Sequence, residues 1–511
     1  MNNRSASAHN ACEQIIGWQA AEGLANQPAI LAGERRLTFA ELTKLVNRIG
    51  NAFLANGIKR GDRVLILLRD TPELVATWLA VIKIGAIAVA LNTRSSPKDI
   101  AYAIDDSTCS ALVLEPEFHG LHAAGRALAE HAPSLVVNDV NSFAERASDI
   151  LTAEPVLPGD PAFCIYTSGT TGSPKAALHR HGGVSIGHLH LKESMGLVPG
   201  ERVFSTSKLF FAFALGHCMV GALKCGATVI LHDGWPDAEA VAQVVERHRP
   251  DLFLSVPTMY RNLLRSDAVA SASFRRIRHF ISAGERLPEQ VFDEWQRATG
   301  QPILEGIGTS ETVFLAIANT PLAYRKGVSG RVLPWAKAEL VAEDGSIARG
   351  PGASGVLRVK MESVAAGYWN QPLKTAEAFS NGWYRTGDVF TVDAEGWWRH
   401  EGRADDMLKI SGQWVSPAEI EEHAMKVPGV AEVAAVGVPN DDGLVRLGLV
   451  VVAGPESPEA KRLEEALRQH FERNLSIYKC PRRIRFVDEM PRTVTGKLQR
   501  YKVREMFAAG E

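Results

Sequence analysis

A chain of 511 residues is too long for one ordinary hydrophobic core, so two or more domains are expected. Apolar residues make up 46% and charged residues 22%, which is ordinary for a soluble globular enzyme, and the net charge is −2. That balance supplies no global basic field and argues against nucleic acid or a membrane surface as partner. In chain order, the start "MNNRSASAHNACEQIIGWQ" lacks an apolar stretch long enough for a signal peptide. Residues 37–58 have helical apolar spacing, with Thr38 and Glu41 set for a capping box. "DRVLILL" (62–68) reads as a buried strand, followed by the helical "PELVATWLAVIKIG" and a strand at 86–92. The alternation returns with strands at 111–116, 227–232, 251–257 and 279–284. Such alternation predicts layered α/β architecture with largely parallel sheets.

Near residue 330 the texture changes to short strands separated by Gly and Asp turns, as in a small β-rich unit. After Arg403 it becomes α+β. "SPAEIEEHAMKV" starts with a Ser cap, two strands follow, and "PEAKRLEEALRQHFERNL" is a strong helix. The expected fold is therefore α/β. A large N-terminal domain of mixed sheets spans residues 1–402, with a β-rich part at about 330–402. A small α+β C-terminal domain spans residues 403–511. No run of about 18 apolar residues suggests a spanning helix. Cys12, Cys109, Cys164, Cys218, Cys225 and Cys480 are scattered without metal spacing. They read as reduced, mostly buried thiols of a cytoplasmic protein. His179, His181, His188 and His190 lack acidic partners in sequence. They read as polar residues at the surface or near a cofactor rather than as a metal site.

The most telling stretch is "YTSGTTGSPKAALH", residues 166–179. Glycines let backbone N–H groups approach a ligand, hydroxyls add donors, and a lysine adds charge, so the composition suits phosphate. It is not a Walker loop. Counting from Gly169, Lys175 falls in the right place, but Pro174 replaces the second glycine and Ala176 the magnesium-binding hydroxyl.

The stretch resembles the phosphate loop of the adenylate-forming superfamily of acyl-CoA synthetases, luciferases and peptide-synthetase adenylation domains. Further motifs follow in family order: "GIGTSE" (306–311), "YRTGD" (384–388), "GRADDMLKISGQWVSPAEIE" (402–421) and "PRTVTGK" (491–497). Ala176 and Ile307 depart from the usual Gly and Tyr. The resemblance implies ATP, Mg²⁺ and coenzyme A as cofactors. It implies that Thr167, Ser168, Gly169, Thr170, Thr171, Gly172 and Lys175 cradle the β and γ phosphates. Ser310 would sit near the α-phosphate and Glu311 would hold the metal. Ala283, Gly284, Glu285, Glu305 and Gly306 would lie near adenine, and Asp388 with Arg403 near the ribose. Lys497 would bridge the attacking carboxylate and the α-phosphate. For the second half-reaction the C-terminal domain would be mobile, turning about Asp405 and bringing Gly412 to the pantetheine tunnel.

Within the superfamily the wording looks most like the benzoate–CoA ligase branch. That likeness puts the acid against Ala212, Phe213, Ala283, Gly284, Gly308, Phe314 and Leu315. "SKLFFAFALGH" carries no aspartate for a substrate ammonium, so an α-amino acid is disfavoured. Phenyl rings favour a flat or alicyclic apolar acid. The branch often has Tyr at the position of Phe213 and His at that of Phe314. Losing both leaves no evident partner for a ring hydroxyl, at a cost of about 1–3 kcal/mol, so hydroxybenzoates are expected to be disfavoured unless another group or a water helps. Cyclohexanecarboxylate or a medium-chain acid stays an alternative, as does loading of a carrier-protein pantetheine. A homodimer also stays open.

Overall fold

The computed structural model describes residues 9–167, 174–410, 413–439, 445–455, 457–492 and 498–508. The chain forms two compact units. The first comprises Met1–Glu339 and Arg358–Thr386, and the second Leu340–Leu357 and Gly387–Glu511. The chain thus passes into the second unit earlier than the change of texture at residue 402 suggests, and Asp388 belongs to that unit.

The first unit carries two large sheets. In one, strands 303–307, 279–282, 252–255, 202–205, 228–231 and 28–32 lie side by side in that order, all parallel. In the other, strands 161–167, 87–90, 63–67, 111–114 and 135–137 are parallel neighbours. Every strand expected from the alternating apolar runs in this part is present within a residue or two. Their residues are buried on both faces, which is why they read as continuous apolar runs. Helix Phe39–Ala55 starts on the expected capping box, with Thr38 and Glu41 exchanging both bonds.

In the first sheet, segments 206–213, 283–287 and 308–315 all leave the carboxyl ends of parallel strands. Parallel strands deliver such loops to one edge, the usual place for a ligand. Those loops contain Phe213, Ala283, Gly308 and Phe314.

In the second unit, strands Val430–Pro439 and Val445–Ala453 pair antiparallel, and the latter pairs with Arg483–Phe486 in parallel. Helices Pro417–Met425 and Ala460–Asn474 pack on this sheet through Ile420, Leu463, Leu467 and Phe471. Ser416 caps the first of them, as its position implies. No helix among the described residues is long and apolar enough to cross a membrane. The six cysteines are free, five of them buried.

Candidate active site

The phosphate-loop stretch is set on a hairpin. Strand Pro161–Thr167 runs antiparallel to Lys175–Arg180, and Thr167 stands opposite Lys175. Ser168, Gly169, Thr170, Thr171 and Gly172 lie outside the described residues, as do Gly412 and Lys497. The foot of the loop is clamped. Tyr102 Oη donates to the Pro174 carbonyl at 2.8 Å, and Gln371 Nε2 donates to it at 3.4 Å. Tyr166 donates to Asp106 at 2.7 Å.

Lys175 and Glu311 are linked through a residue the sequence reading missed. Tyr368 sits on the strand beside Lys175–Arg180, opposite Ala177. The Lys175 ammonium lies 5.1 Å from the centre of its ring. The Tyr368 hydroxyl donates to Glu311 Oε1 at 2.7 Å. Tyr384 is a second neighbour of this carboxylate. Burial, then the charge of Glu311, push its phenol well above the usual range, so it stays a donor. A buried carboxylate held by phenols is a fixed, hard oxygen donor, and it suits a magnesium ion that shares phosphate oxygens. Among the described residues no group of three or more His, Cys, Asp or Glu is placed to hold a metal ion alone.

Ser310, beside Glu311, is fixed through its backbone. His179 Nε2 donates to its carbonyl at 2.9 Å, and the imidazole stacks on Phe163 at 4.8 Å. Of the two placements expected for these histidines, the surface one does not hold for His179, His181 and His190, which are buried. His181 accepts from the Ala11 amide at 3.0 Å. Burial lowers both His179 and His181 to about 4, partly offset by hydrogen bonds or a nearby carboxylate. The unfolded chain, with histidines near the ordinary ~6.5, binds protons that the folded chain refuses. These two groups therefore support the fold fully above about pH 6.5, and their contribution of about 3 kcal/mol each is lost as pH falls toward about 4. Urea midpoints should drop between about pH 7.5 and pH 5. His181→Gln should flatten that drop, and an equally steep profile in the variant would refute the account.

Near the expected adenine position, Gly284 has φ 91°, a conformation that favours glycine. Ala283 is buried and Glu285 is exposed, accepting from Thr258 at 3.2 Å. The Glu305 carboxylate braces this loop by accepting from the Leu287 amide at 3.1 Å and the Ser329 hydroxyl at 2.9 Å. Gly306 pairs with Ala318.

The acid-binding candidates come together. Segment 207–213 is pinned by Lys208, buried in an apolar run. Its ammonium donates to the carbonyls of His232 at 2.6 Å and Gly234 at 2.7 Å, and lies 3.4 Å from Asp70. Ala212 is buried and Phe213 half-buried. Phe314 and Leu315 are buried, and Gly308 lies so close that a Cβ there would meet the Phe314 carbonyl oxygen at 2.9 Å. Between Phe213 and Phe314 stands His217, with ring-centre distances of 5.5 and 5.6 Å. The sequence reading left open another polar group beside these rings, and His217 is such a group. Phe213 and Phe314 have no polar atoms themselves, but the imidazole they enclose does. The signal was the last letter of "SKLFFAFALGH".

In the second unit, Asp388 is buried on strand Trp383–Val392, opposite Arg403. His400 Nε2 lies 3.2 Å from its Oδ1 and Arg403 Nη1 lies 3.5 Å from its Oδ2. Gly387, at φ 77°, makes room for Arg403, since a Cβ there would stand 2.7 Å from Nη2. Asp405 is exposed.

Comparison with known proteins identifies the family. The family described as AMP-binding enzyme matches residues 17–369, and the AMP-binding enzyme C-terminal domain matches residues 419–497. The chain is 49% identical to a 3-hydroxybenzoate–CoA ligase of Aromatoleum sp. (strain CIB), over 100% of this chain and 99% of that one. It is also 49% identical to a 3-hydroxybenzoate–CoA/4-hydroxybenzoate–CoA ligase of Thauera aromatica, over 98% of each. Among solved structures, a benzoate CoA ligase from Burkholderia xenovorans LB400 superposes with a TM-score of 0.89 at 31% identity, covering 97% of this chain and 99% of that one. The chain belongs to the AMP-binding enzyme family, in the benzoate–CoA ligase branch of the adenylate-forming superfamily.

Proposed function

We propose that this protein is an ATP-dependent aryl-acid–CoA ligase whose preferred acid is 3-hydroxybenzoate. The observation that carries the reading is the mainly apolar setting of Phe213, Phe314 and Leu315 around one neutral imidazole, with no aspartate in segment 207–217 for a substrate ammonium. Two relatives at 49% identity that act on 3-hydroxybenzoate support the choice of acid.

In the first half-reaction a substrate carboxylate oxygen attacks the α-phosphorus of ATP. The bond to the bridging oxygen breaks, pyrophosphate leaves, and an acyl-adenylate forms. Lys175 and the hydroxyls of Thr167, Ser168, Thr170 and Thr171 neutralise the β and γ phosphates. Glu311, oriented by Tyr368, would hold Mg²⁺, which would supply charge neutralisation on the phosphates. Ser310 lies by the α-phosphate, Asp388 accepts from the ribose hydroxyls, and Lys497 aligns the two reacting groups. In the second half-reaction the CoA thiolate attacks the acyl carbon and AMP leaves. Before that attack, movement about Asp405 would replace Lys497 by the segment around Gly412.

The test is pyrophosphate release with ATP, Mg²⁺ and CoA across benzoate, 3-hydroxybenzoate, 4-hydroxybenzoate, 2-aminobenzoate, cyclohexanecarboxylate, hexanoate and phenylalanine. The highest kcat/KM should fall to 3-hydroxybenzoate, with the acyl-CoA as product. Preference for hexanoate or cyclohexanecarboxylate would overturn the choice of acid. Adenylate formation without transfer to free CoA would favour a carrier-protein acceptor.

A further inference from the structure

We propose that His217, backed by His190, is the specificity residue that receives the hydroxyl on the substrate's ring. This rests on the aryl-acid reading above and adds to it the group that tells a hydroxylated ring from a plain one.

The two imidazoles meet edge to face at 5.3 Å. His217 is 0% exposed and His190 is 2% exposed. The Leu315 amide donates to His217 Nε2 at 3.5 Å, a long bond, so that nitrogen is an acceptor and Nδ1 carries the proton. Nδ1 has no partner within hydrogen-bond geometry, although the Phe213 carbonyl lies one turn back on its side. Neither ring nitrogen of His190 has a partner. Among the described residues the two His190 nitrogens have no partner and His217 Nδ1 has only the Phe213 carbonyl beside it, and an unsatisfied buried group costs about 1–3 kcal/mol. A cluster with only a packing role would be served better by Leu or Phe.

Burial lowers His217 to about 4 and His190 well below its ordinary value, so both rings are neutral. A neutral imidazole both donates and accepts, and so does a phenol hydroxyl. A second carboxylate would meet a dry, uncharged surrounding and would be rejected. Phe213 is the partly exposed ring of the set and lies next to His217, with ring centres 5.5 Å apart.

The chain holds this cluster together against strain. Val313 has φ 61°, an uncommon conformation for a β-branched residue, and it turns Phe314 toward His217. Gly216 and Gly187 leave the space. A Cβ on Gly216 would come within 2.7 Å of Val313 Cγ1, and one on Gly187 within 2.8 Å of Phe314 Cζ. His217 lies in a stretch of π-helix, Ala214–Gly221, a local irregularity often found at functional sites.

The experiment measures kcat/KM of the full chain for 3-hydroxybenzoate, 3-methylbenzoate and benzoate. The methyl compound matches the hydroxyl in size without its hydrogen bonds. His217→Leu should lower the ratio of 3-hydroxybenzoate to 3-methylbenzoate by roughly 10–100-fold. His190→Leu should lower it by a smaller factor, roughly 3–10-fold. His217→Gln, which keeps a polar atom, should restore part of the ratio, and His217→Phe serves if the leucine variant does not fold. An unchanged ratio in His217→Leu, or in His217→Phe if only that variant folds, overturns the proposal. Wild-type enzyme that turns over no ring acid would instead refute the aryl-acid reading itself.

Discussion

Glu311→Gln slows acyl-adenylate formation by roughly 10²–10³-fold while the chain stays folded. The prediction follows from how the carboxylate is held. Its backbone N–H donates to Thr309 Oγ1 at 3.2 Å, and its Oε1 accepts from Tyr368 at 2.7 Å. A glutamine has the same length and can still accept that hydroxyl through its own oxygen. What it removes is the negative charge that would balance a divalent ion beside phosphate. Urea unfolding should shift by no more than about 1–2 kcal/mol, as for one weakened buried hydrogen bond. The rate should be read by pyrophosphate release across a magnesium titration. Tyr368→Phe supplies a graded comparison. It leaves the charge and removes its orienting bond, so the loss should be roughly tenfold and partly recovered at high magnesium. Full adenylation by Glu311→Gln at low magnesium would show that the carboxylate is structural only.

Lys497→Ala should cut adenylate formation by roughly 10²–10³-fold and leave transfer from supplied acyl-adenylate to CoA near the wild-type rate. Lys497 lies outside the described residues, but both flanks are anchored in the second unit. Arg492 bridges to Leu498 on the backbone. Arg500 grips Glu421 with two bonds, at 2.6 and 3.0 Å, and also donates to the Ala435 carbonyl at 2.8 Å. A bidentate buried pair of this kind fixes a segment's end firmly. Lys497→Ala removes the side chain beyond Cβ and leaves Arg492, Leu498 and Arg500 in place, so the two half-reactions can be compared in one variant. Rapid-quench measurement of each half-reaction separates the outcomes. Equal loss in both would mean that Lys497 is not dedicated to the adenylation step.

The site was legible to different depths. The hairpin flanking the phosphate loop and the stretch around Glu311 appear as contiguous motifs, because a phosphate cradle needs neighbouring backbone groups. Tyr368 was not read. Its importance lies in touching both Lys175 and Glu311, which are far from it in the chain. Lys208 was passed over because a lysine in an apolar run gives no sign of the carbonyls that will surround it. The expectation against hydroxybenzoates was drawn in the same local way. It rested on the side chains at positions 213 and 314 and took no account of what stands between them.

By itself the sequence determined the α/β alternation, the parallel strands and the chemistry of activating an acid with ATP. Those properties depend on residues close together in the chain: apolar periods, caps and short ordered motifs. The tertiary structure decided the polarity of the region around Phe213 and Phe314. His190 and His217 come from separate helical segments, packed closely through Gly187 and Gly221, where a Cβ on Gly221 would meet the Gly187 carbonyl oxygen at 2.9 Å. Whether a histidine is a solvated surface group or a neutral, buried hydrogen-bonding group is set by the dielectric and the partners around it. Only packing between distant segments supplies those.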